Sequence, residues 1–395
     1  MATLDFPTID FDEFHRVTLP ARIDAGNGAL AAPDLVGVGP LGFKVTDDGA
    51  SYTYVPGPDT VEIWSSDVAA DTLVELSRDA FSDFANELRT SFGLLYAGMA
   101  DVSRGSFAWF ERWEPALRAL YHGRPILDLS TSTGSDPARS FTLDDTDDAM
   151  RAALRANGFL HVRGVFTDDE IATLSAEVER GRTVARPDDG RSWWAMQADG
   201  TEVCCRLIYM GEWSAPVADL GTDPRLQRLA ALGGEGLEVE ADCLDGQSVV
   251  IKNPEVTAGL SDLPWHRDCG LGGHPVLCPS VAIGIQLDRA SAETGQLRFV
   301  AGSHRGSSHP LQPDDEASAP VVAVDAEPGD VTVHFGDVLH AAPPPTGNGP
   351  MRRAMYVTFT RPETIAFVGP GHGYNDVLFE HDGQVHSPDE IRAST

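Results

Sequence analysis

The sequence contains few lysines, no Cys-x-x-Cys motif and no long apolar run. Only two of its 29 basic residues are lysines, Lys44 and Lys252, and 60 acidic residues give a formal net charge of −31. A surface with this balance of charge repels the phosphate backbone of nucleic acids. We therefore expect no nucleic-acid partner.

The cysteine and hydropathy patterns exclude further classes of protein. The five cysteines include no Cys-x-x-Cys pair, so we expect reduced thiols rather than a zinc ribbon or a disulfide scaffold. No run of about 18 apolar residues occurs. The opening residues MATLDFPTIDFDEF lack a basic segment followed by an apolar one. These features predict a cytoplasmic protein without a membrane span.

The length of 395 residues predicts two domains, because domains usually contain about 100 to 200 residues. Residues 130–145, STSTGSDPARSFTLDD, are rich in Ser, Thr, Gly and Asp, and we interpret them as a linker. Residues 1–129 would then form a smaller α+β domain. Residues 146–395 would form a second, strand-rich domain, and the fold class of the whole chain is α+β.

The first domain shows strand patterns followed by helix patterns. The segment GFKVTDDGASYTYVPG predicts two strands about an Asp-Asp-Gly turn, and VEIWSS predicts a third strand. Residues 71–98 predict a helix, because their apolar residues recur every three to five positions. A further helix is predicted over residues 107–121.

Taken in order, these segments resemble the sterol-carrier-protein type of lipid-binding domain over residues 20–127. The resemblance is carried by the hairpin, PGPDTVEIWSS, DTLVELSRDAFSDF and WEPALRALYHGRP. It implies a lipid-binding first domain and provides no catalytic residue. An ordinary packed core without a ligand is the alternative.

The second domain begins with helix and strand signals and continues with many short strands. A helix leads into an apolar strand at residues 159–165, and Thr167 with Glu170 fits the capping box of a following helix. The later runs CCRLIYM, GQSVVIKN, VAIGIQLD, GQLRFVAG, GDVTVHFG and RRAMYVTFT are separated by Gly, Pro and Asp turns. This pattern predicts a β-sandwich or a jelly-roll barrel.

The segment LPWHRDCG places a histidine and a carboxylate two positions apart. Residues i and i+2 of a strand point to the same face, so His266 and Asp268 would lie side by side. Two histidines and one carboxylate can bind iron(II) on one face, which leaves three positions for a bidentate co-substrate and dioxygen. His266 and Asp268 would supply two of these three ligands.

Two histidines of GDVTVHFGDVLHAAPP are candidates for the third ligand. His340 ends the segment GDVLH. A jelly roll closes its separation from Asp268 along the chain by pairing distant strands. His334 would share its strand face if the strand were unbroken, but we expect the Phe-Gly-Asp turn between them to break it. We favour His340 and keep His334 as the alternative.

Around these residues the sequence resembles the phytanoyl-CoA dioxygenase family of iron(II)- and 2-oxoglutarate-dependent oxygenases. The matching segments, in family order over residues 149–361, are NGFLHVRGVFTDDEI, VVIKNPEV, PWHRD, TGQLRFVAGSHRG, GDVTVHFGDVLH and MRRAMYVTF. The resemblance implies a double-stranded β-helix (jelly-roll) catalytic domain with His266, Asp268 and His340 as iron(II) ligands. It also implies 2-oxoglutarate and O2 as co-substrates.

The resemblance further assigns the distal carboxylate of 2-oxoglutarate to an arginine of the final strand. Arg352 and Arg353 would point to opposite faces, so only one of them can face inward. Arginine holds a buried carboxylate better than lysine because its guanidinium is planar and bidentate. We choose Arg352, and a surface salt bridge is the alternative role for it.

The chain departs from the family pattern near the expected co-substrate pocket. Ala342 stands where members often carry a hydroxyl residue, and Gly284 stands where animal members carry a tryptophan, so we expect open space beside Gly284. Lys252 and Ser248 precede the metal strand; we expect both to be exposed to solvent, and a place in the pocket is the alternative. Four tryptophans are expected to be core residues, with a place in the substrate cavity as the alternative: Trp193, Trp194, Trp213 and Trp265.

The retained Asp268 favours hydroxylation, since related halogenases replace this carboxylate by a small residue. We predict a dioxygenase that hydroxylates an unactivated C–H bond of an apolar, lipid-like or acyl substrate and releases succinate and CO2. The first domain would hold or deliver this substrate. The alternatives are a hydroxylase of a polar small molecule or secondary metabolite, a non-catalytic lipid-binding protein, and a metalloenzyme that does not use 2-oxoglutarate.

Overall fold

The computed structural model of the chain describes residues 6–131, 133–239, 246–258, 263–268, 280–309, 311, 313–346, 349–368 and 375. No helix in these ranges is long and apolar enough to cross a membrane. Cys204 and Cys205 are buried and free, and burial raises the pKa of both thiols to about 12. Cys243, Cys269 and Cys278 lie outside the described residues.

The described residues form strands, helices and short 3₁₀ or π-helical turns. The strands are β1 (Leu41–Val45), β2 (Ser51–Pro56), β3 (Val61–Trp64), β4 (Thr72–Leu76), β5 (Ala100–Arg104), β6 (Ser140–Phe141), β7 (Phe159–Val162), β8 (Ser192–Gln197), β9 (Glu202–Leu207), β10 (Glu238–Val239), β11 (Gln247–Lys252), β12 (Val256–Ala258), β13 (Leu263–His266), β14 (Val281–Gln286), β15 (Arg298–Val300), β16 (Val321–Ala323), β17 (Val331–Phe335), β18 (His340–Ala342) and β19 (Arg352–Thr360). The helices are α1 (Phe11–Glu13), α2 (Leu19–Arg22), α3 (Gly28–Ala31), α4 (Arg78–Ala85), α5 (Ser91–Tyr96), α6 (Phe107–His122), α7 (Asp147–Asn157), α8 (Asp168–Val184), α9 (Ala215–Ala218), α10 (Pro224–Ala230) and α11 (Pro362–Val368).

The N-terminal half contains a five-stranded sheet with helices packed on it. The strand order is β3-β2-β1-β4-β5, in which β1 is parallel to β4. The sheet and helices share a core rich in aromatic side chains, such as Phe43, Phe81 and Trp113, all fully buried. The predicted hairpin, third strand and helix over residues 107–121 are confirmed by β1, β2, β3 and α6. The resemblance of this half to sterol-carrier-protein domains stays a prediction.

The helix predicted over residues 71–98 is wrong in its first part. Residues Thr72–Leu76 form β4, which lies in the interior of the sheet between β1 and β5. A strand buried on both faces reads as a continuous apolar run, and periodicity alone does not separate such a run from a helix. Two shorter helices follow, and each starts at a hydroxyl N-cap, Ser77 for α4 and Thr90 for α5.

The second half is built on two sheets. The large sheet has the order β12-β8-β9-β11-β19-β14-β17-β7-β6, and β10 also pairs with β19. The small sheet has the order β13-β18-β15-β16. The six predicted strand runs correspond to β9, β11, β14, β15, β17 and β19, and the capping box of Thr167 and Glu170 starts α8.

The two sheets face each other, and helices cover the outer face of the large one. Phe159 of β7 stacks on Phe299 of β15, with ring centroids 4.3 Å apart. On the other face of the large sheet, Leu154 of α7 and Leu174 of α8 share a core with Met355 of β19. This arrangement fits the jelly roll expected for the catalytic domain.

The segment interpreted as a linker contributes the edge strand of the large sheet. Ser140–Phe141 form β6 and pair in parallel with β7. Phe141 is 1% exposed and belongs to the core of the second half. The last residues of the segment 130–145 are therefore held by the large sheet.

A polar cluster of Asp34, Arg112 and His309 links the N-terminal half to the second half. Arg112 of α6 donates to the carboxylate of Asp34 over 2.7 Å, and Nε2 of His309 lies 2.8 Å from its other oxygen. Nearby, the backbone N–H of Leu127 donates to the carbonyl of Ser307 over 2.8 Å. The N-terminal half thus contacts the segment that follows β15.

We expect Asp34→Ala to lower the free energy of unfolding by about 1–3 kcal/mol, because Arg112 and His309 lose their charged acceptor. Urea unfolding followed by tryptophan fluorescence measures this loss. Asp148→Ala is the matched control, since the Asp148 side chain is 96% exposed. Equal losses in the two variants would mean that the cluster does not stabilise the fold.

Candidate metal centre

Strand pairing in the small sheet brings two histidines together. β13 and β18 are antiparallel, and His266 stands directly opposite His340 in their register. Directly opposed residues point to the same face of a sheet, and the two imidazole centroids are 4.2 Å apart. The register shifts between Leu263 and His266, a bulge of the kind that re-aims a side chain beside a site.

Asp268 completes a cluster of three candidate metal ligands. Its Oδ1 lies 3.6 Å from Nε2 of His266 and 3.5 Å from Nε2 of His340. One ligand atom from each of these residues lies within 4.8 Å of the other two. Among the described residues this is the one group of His, Cys, Asp or Glu with such spacing.

Backbone hydrogen bonds orient both imidazoles toward this cluster. Nδ1 of His266 lies 2.7 Å from the carbonyl of Pro264, and Nδ1 of His340 lies 3.0 Å from the carbonyl of Val338. A carbonyl only accepts, so Nδ1 carries a proton in each ring, and Nε2 has its lone pair in the neutral imidazole. Both Nε2 atoms are therefore available to a metal.

The pKa values of Asp268 and His266 favour an ionised carboxylate beside a neutral His266 imidazole. Burial would raise the pKa of Asp268, but His340, His266 and His334 outweigh it and hold this pKa well below its usual range. Burial, together with the nearby His340, lowers the pKa of His266. Two neutral imidazole nitrogens and one carboxylate oxygen form the donor set that non-haem iron(II) takes, so the residues fit this ion.

His334, the alternative third ligand, lies beside the cluster and not within it. β17 ends at Phe335 in the large sheet, whereas His340 opens β18 in the small sheet, so the expected break between them is confirmed. The Nε2 atom of His334 is 3.5 Å from Oδ2 of Asp268. It therefore contacts a different oxygen of Asp268 from the one that lies beside His266 and His340.

The two arginines of β19 have opposite environments. Arg352 is 1% exposed and donates to the carbonyls of Thr294 and Gly295 and to the side chain of Gln286. Burial lowers its pKa. Arg353 instead forms an ion pair with Asp288 on the other face of the strand.

Tyr356 is close to both Arg352 and the candidate metal ligand Asp268. It lies on the same face of β19 as Arg352 and interacts with that side chain, and the charge of Asp268 also acts on it. Burial raises the pKa of Tyr356. Arg352 is thus the arginine that faces the space between the two sheets, near the candidate metal ligands.

Two residues expected at the surface are buried instead. Lys252 is fully buried and Ser248 is 1% exposed. They stand opposite Arg352 and Tyr356 in the pairing of β11 with β19, so they lie on the same inner face. The expectation of solvent exposure was wrong because β11 is an interior strand. The two-residue spacing of Ser248, Val250 and Lys252 was the signal that could have shown a shared face.

The space expected beside Gly284 is filled. A Cβ atom added at Gly284 would lie 2.8 Å from Thr332 Oγ1 and 2.8 Å from Tyr356 Cε1. The prediction of an opening there is therefore wrong, because these side chains occupy the place of the missing one. At the other departure from the family pattern, the carbonyl of Ala342 accepts a hydrogen bond from Lys252.

The four tryptophans fall into three packing environments. Trp265 precedes His266 on β13 and packs with Leu339 on the outer side of the small sheet. Trp194 and Trp213 pack, partly buried, against the core between the large sheet and its helices. Trp193 belongs to a separate cluster, which also contains Ala195, Cys205 and Ile208. The expectation of core packing is confirmed for Trp193 and Trp265.

A further buried pair lies next to the cluster. Arg267, between His266 at the end of β13 and Asp268 just beyond it, donates to the carbonyls of Asp337 and Ser303 and to the hydroxyl of Ser308. Burial raises the pKa of Asp337 to about 6, although the charge of Arg267 acts against this shift. Asp337 is thus an acid that is costly to ionise in the folded protein.

A jelly roll that brings two histidines and a carboxylate together defines the class of non-haem iron oxygenases. Residues 154–354 match the family model described as phytanoyl-CoA dioxygenase (PhyH). The chain belongs to the phytanoyl-CoA dioxygenase family. It is an enzyme that depends on iron(II) and 2-oxoglutarate and uses O2. No curated protein matches the chain.

Many solved structures are similar to part of the chain, among them those of AviO1, SnoN and EvdO2. AviO1 from Streptomyces viridochromogenes Tue57 is 30% identical, and the alignment covers 55% of this chain and 96% of AviO1 with a TM-score of 0.43. The epimerase SnoN, in complex with Fe3+, alpha ketoglutarate and nogalamycin RO, is 23% identical over 57% of this chain and 91% of its own, with a TM-score of 0.43. EvdO2 from Micromonospora carbonacea var. aurantiaca, complexed with 2-oxoglutarate, is 22% identical over 55% of this chain and 91% of its own, with a TM-score of 0.39.

The raised pKa of Asp337 predicts a contribution to the pH dependence of stability. In the unfolded chain this carboxyl has an ordinary pKa near 4, so between about pH 4 and pH 6 the folded protein binds more protons at this residue. Stability contributed by the residue is present below pH 4 and falls as the pH rises to about 6.

We therefore expect Asp337→Asn to flatten the pH dependence of unfolding. Between pH 5 and pH 8 the wild type should lose roughly 1 kcal/mol relative to the variant. Urea midpoints measured across this range test the prediction, and Asp148→Ala should follow the wild-type curve. Parallel curves for wild type and Asp337→Asn would show that the carboxyl is not perturbed.

Proposed function

We propose that the enzyme hydroxylates an unactivated C–H bond of an apolar, lipid-like or acyl substrate, with decarboxylation of 2-oxoglutarate to succinate and CO2. His266, Asp268 and His340 bind iron(II), and Arg352 binds the distal carboxylate of 2-oxoglutarate. The observation that carries the proposal is the convergence of two oriented Nε2 atoms and one carboxylate oxygen within 4.8 Å. When bound, iron(II) would activate dioxygen, and the decarboxylation of 2-oxoglutarate would supply the electrons.

The protein contributes orientation and exclusion of water. The Nδ1 hydrogen bonds of His266 and His340 fix the direction of both imidazoles, and the low pKa of Asp268 keeps its carboxylate ionised at neutral pH. Arg352 is held in place by backbone carbonyls, so its guanidinium is preorganised for a dicarboxylic acid. The side chains of His266 and His340 are only 12% and 7% exposed, and such burial limits the access of water to a reactive site.

An apolar substrate is supported by the cluster around Trp193. Trp193 stands opposite Arg206 in the pairing of β8 with β9, and Arg206 stands opposite Val250 in the pairing with β11. Directly opposed residues share a face, so the Trp193 cluster lies on the same inner face as Lys252 and Arg352. Binding sites for small molecules are commonly lined by apolar side chains of this kind together with a few polar groups.

A hydroxylase of a polar small molecule or secondary metabolite is the second candidate, and Arg206 favours it. This arginine lies on the inner face, where its charge acts on Tyr356. A cation there suits an anionic or strongly polar substrate. Succinate release on a panel of fatty acids and acyl thioesters, compared with polar metabolites, distinguishes the two substrate classes. Lipid binding by the N-terminal half would serve only the apolar, lipid-like substrate of the first proposal.

We expect an anaerobic solution of the purified protein with iron(II) and 2-oxoglutarate to show a visible metal-to-ligand charge-transfer band. His266→Ala should abolish the band, because it removes a ligand, and His122→Ala in the N-terminal half should keep it. A folded, iron-loaded wild type without this band would refute the proposed metal and co-substrate site.

We expect Arg352→Ala to raise the KM for 2-oxoglutarate about 30-fold or more, since truncating one partner of a buried charge pair costs about 2–5 kcal/mol. Arg353→Ala is the matched control on the adjacent position and should change this KM little, because Arg353 pairs with Asp288 on the other face. Assays of succinate formation with varied 2-oxoglutarate measure both values. A larger effect of Arg353→Ala would reassign the anchor.

A further inference from the structure

His334 is a buried polar side chain without an assigned task in the proposed chemistry. It is 1% exposed, and within the part of the chain that the structure describes neither of its ring nitrogens has a hydrogen-bond partner. A buried polar group left without a partner costs about 1–3 kcal/mol. Such a group in a packed interior calls for a specific explanation.

The carboxylate of Asp268 lies next to this ring. Its Oδ2 is 3.5 Å from Nε2 of His334, whereas its Oδ1 faces the Nε2 atoms of His266 and His340. The two oxygens of one carboxylate therefore face different groups. Oδ1 is the oxygen that lies beside both candidate ligand histidines, at 3.6 Å and 3.5 Å.

Aromatic packing fixes the position of the His334 ring. The ring of Phe299 lies 5.3 Å from that of His334 and 6.0 Å from that of His340, measured between centroids. The two imidazoles are 4.8 Å apart. One buried phenyl ring thus supports a candidate ligand and its neighbour together, which leaves His334 aimed at Asp268.

We infer that His334 is a positioning residue that, in the iron-loaded protein, shortens its 3.5 Å contact with Oδ2 of Asp268 and donates its Nε2–H to that oxygen, so that only Oδ1 binds iron(II). This inference rests on the proposed metal site. A carboxylate bound through both oxygens would take one more coordination position, whereas 2-oxoglutarate and dioxygen need all three that the triad leaves. His334 thereby keeps a coordination position open.

A hydrogen bond of this kind has a measurable effect on metal binding. Groups that orient a ligating residue typically change metal affinity about 10- to 100-fold when they are removed. His334 is not one of the three residues whose ligand atoms cluster within 4.8 Å. As a ligand it would also compete with the co-substrate for a position.

The test compares four variants of the full-length protein. His334→Phe and His334→Leu remove the donor, and His334→Gln keeps an N–H donor on a side chain of similar reach. Thr332→Val is the matched control, because Thr332 is 1% exposed and lies two residues earlier on the same face of β17. The readouts are the dissociation constant of iron(II), from anaerobic competition with a chromogenic chelator, and the charge-transfer band with 2-oxoglutarate.

We expect His334→Phe and His334→Leu to weaken iron(II) binding about 10- to 100-fold and to shift the band. His334→Gln should restore most of the affinity, and Thr332→Val should match the wild type in both readouts. Thermal unfolding identifies any variant that fails to fold, and the second apolar variant then carries the comparison.

Two outcomes would overturn the inference. Unchanged iron(II) affinity and an unchanged band in both apolar variants would make His334 a bystander. A loss as complete as that of His266→Ala, without recovery in His334→Gln, would make it a metal ligand. Both outcomes leave the proposed function standing, whereas a wild type that shows neither iron(II) binding nor the band would refute the proposed function itself.

Discussion

The register of β13 against β18 determines where the chemistry can take place. His266 and His340 face inward because Trp265 and Leu339, their neighbours along the chain, pack together on the outer side of the small sheet. A slip of one residue would exchange the two faces and bury the imidazoles in an apolar cluster. The packing of one tryptophan and one leucine on the outer side thus fixes the geometry of the candidate metal site on the inner side.

The inner face of the large sheet supplies the complementary half of the site. β11 and β19 place Lys252 opposite Arg352, so positive charge is concentrated inside a molecule whose formal net charge is −31. Burying a cation is costly unless hydrogen bonds or an anion compensate for it. Backbone carbonyls serve this purpose for Arg352, and a bound dicarboxylic acid would add an anion.

The sequence contains enough information to predict much of this arrangement. The alternation of faces in PWHRD predicted the pair His266 and Asp268, and the Phe-Gly-Asp turn distinguished His340 from His334, because both signals are local. Residues whose environment is set by distant strands were harder to predict. Lys252 was expected in solvent because its neighbours on β19 are far away in the sequence, and β4 was taken for a helix because an interior strand has no alternation. The space at Gly284 depends on Tyr356, a residue of another strand.

The burial of Lys252 has a practical side. Lys44, on β1 of the N-terminal half, is the other lysine of the chain, and its side chain is 34% exposed. Amine-directed coupling to a surface, a dye or a cross-linker would therefore modify lysine at a single place. That place lies in the five-stranded sheet, whereas every candidate metal ligand belongs to the second half. Coupling through Lys44 would leave the lysine of the catalytic half chemically untouched.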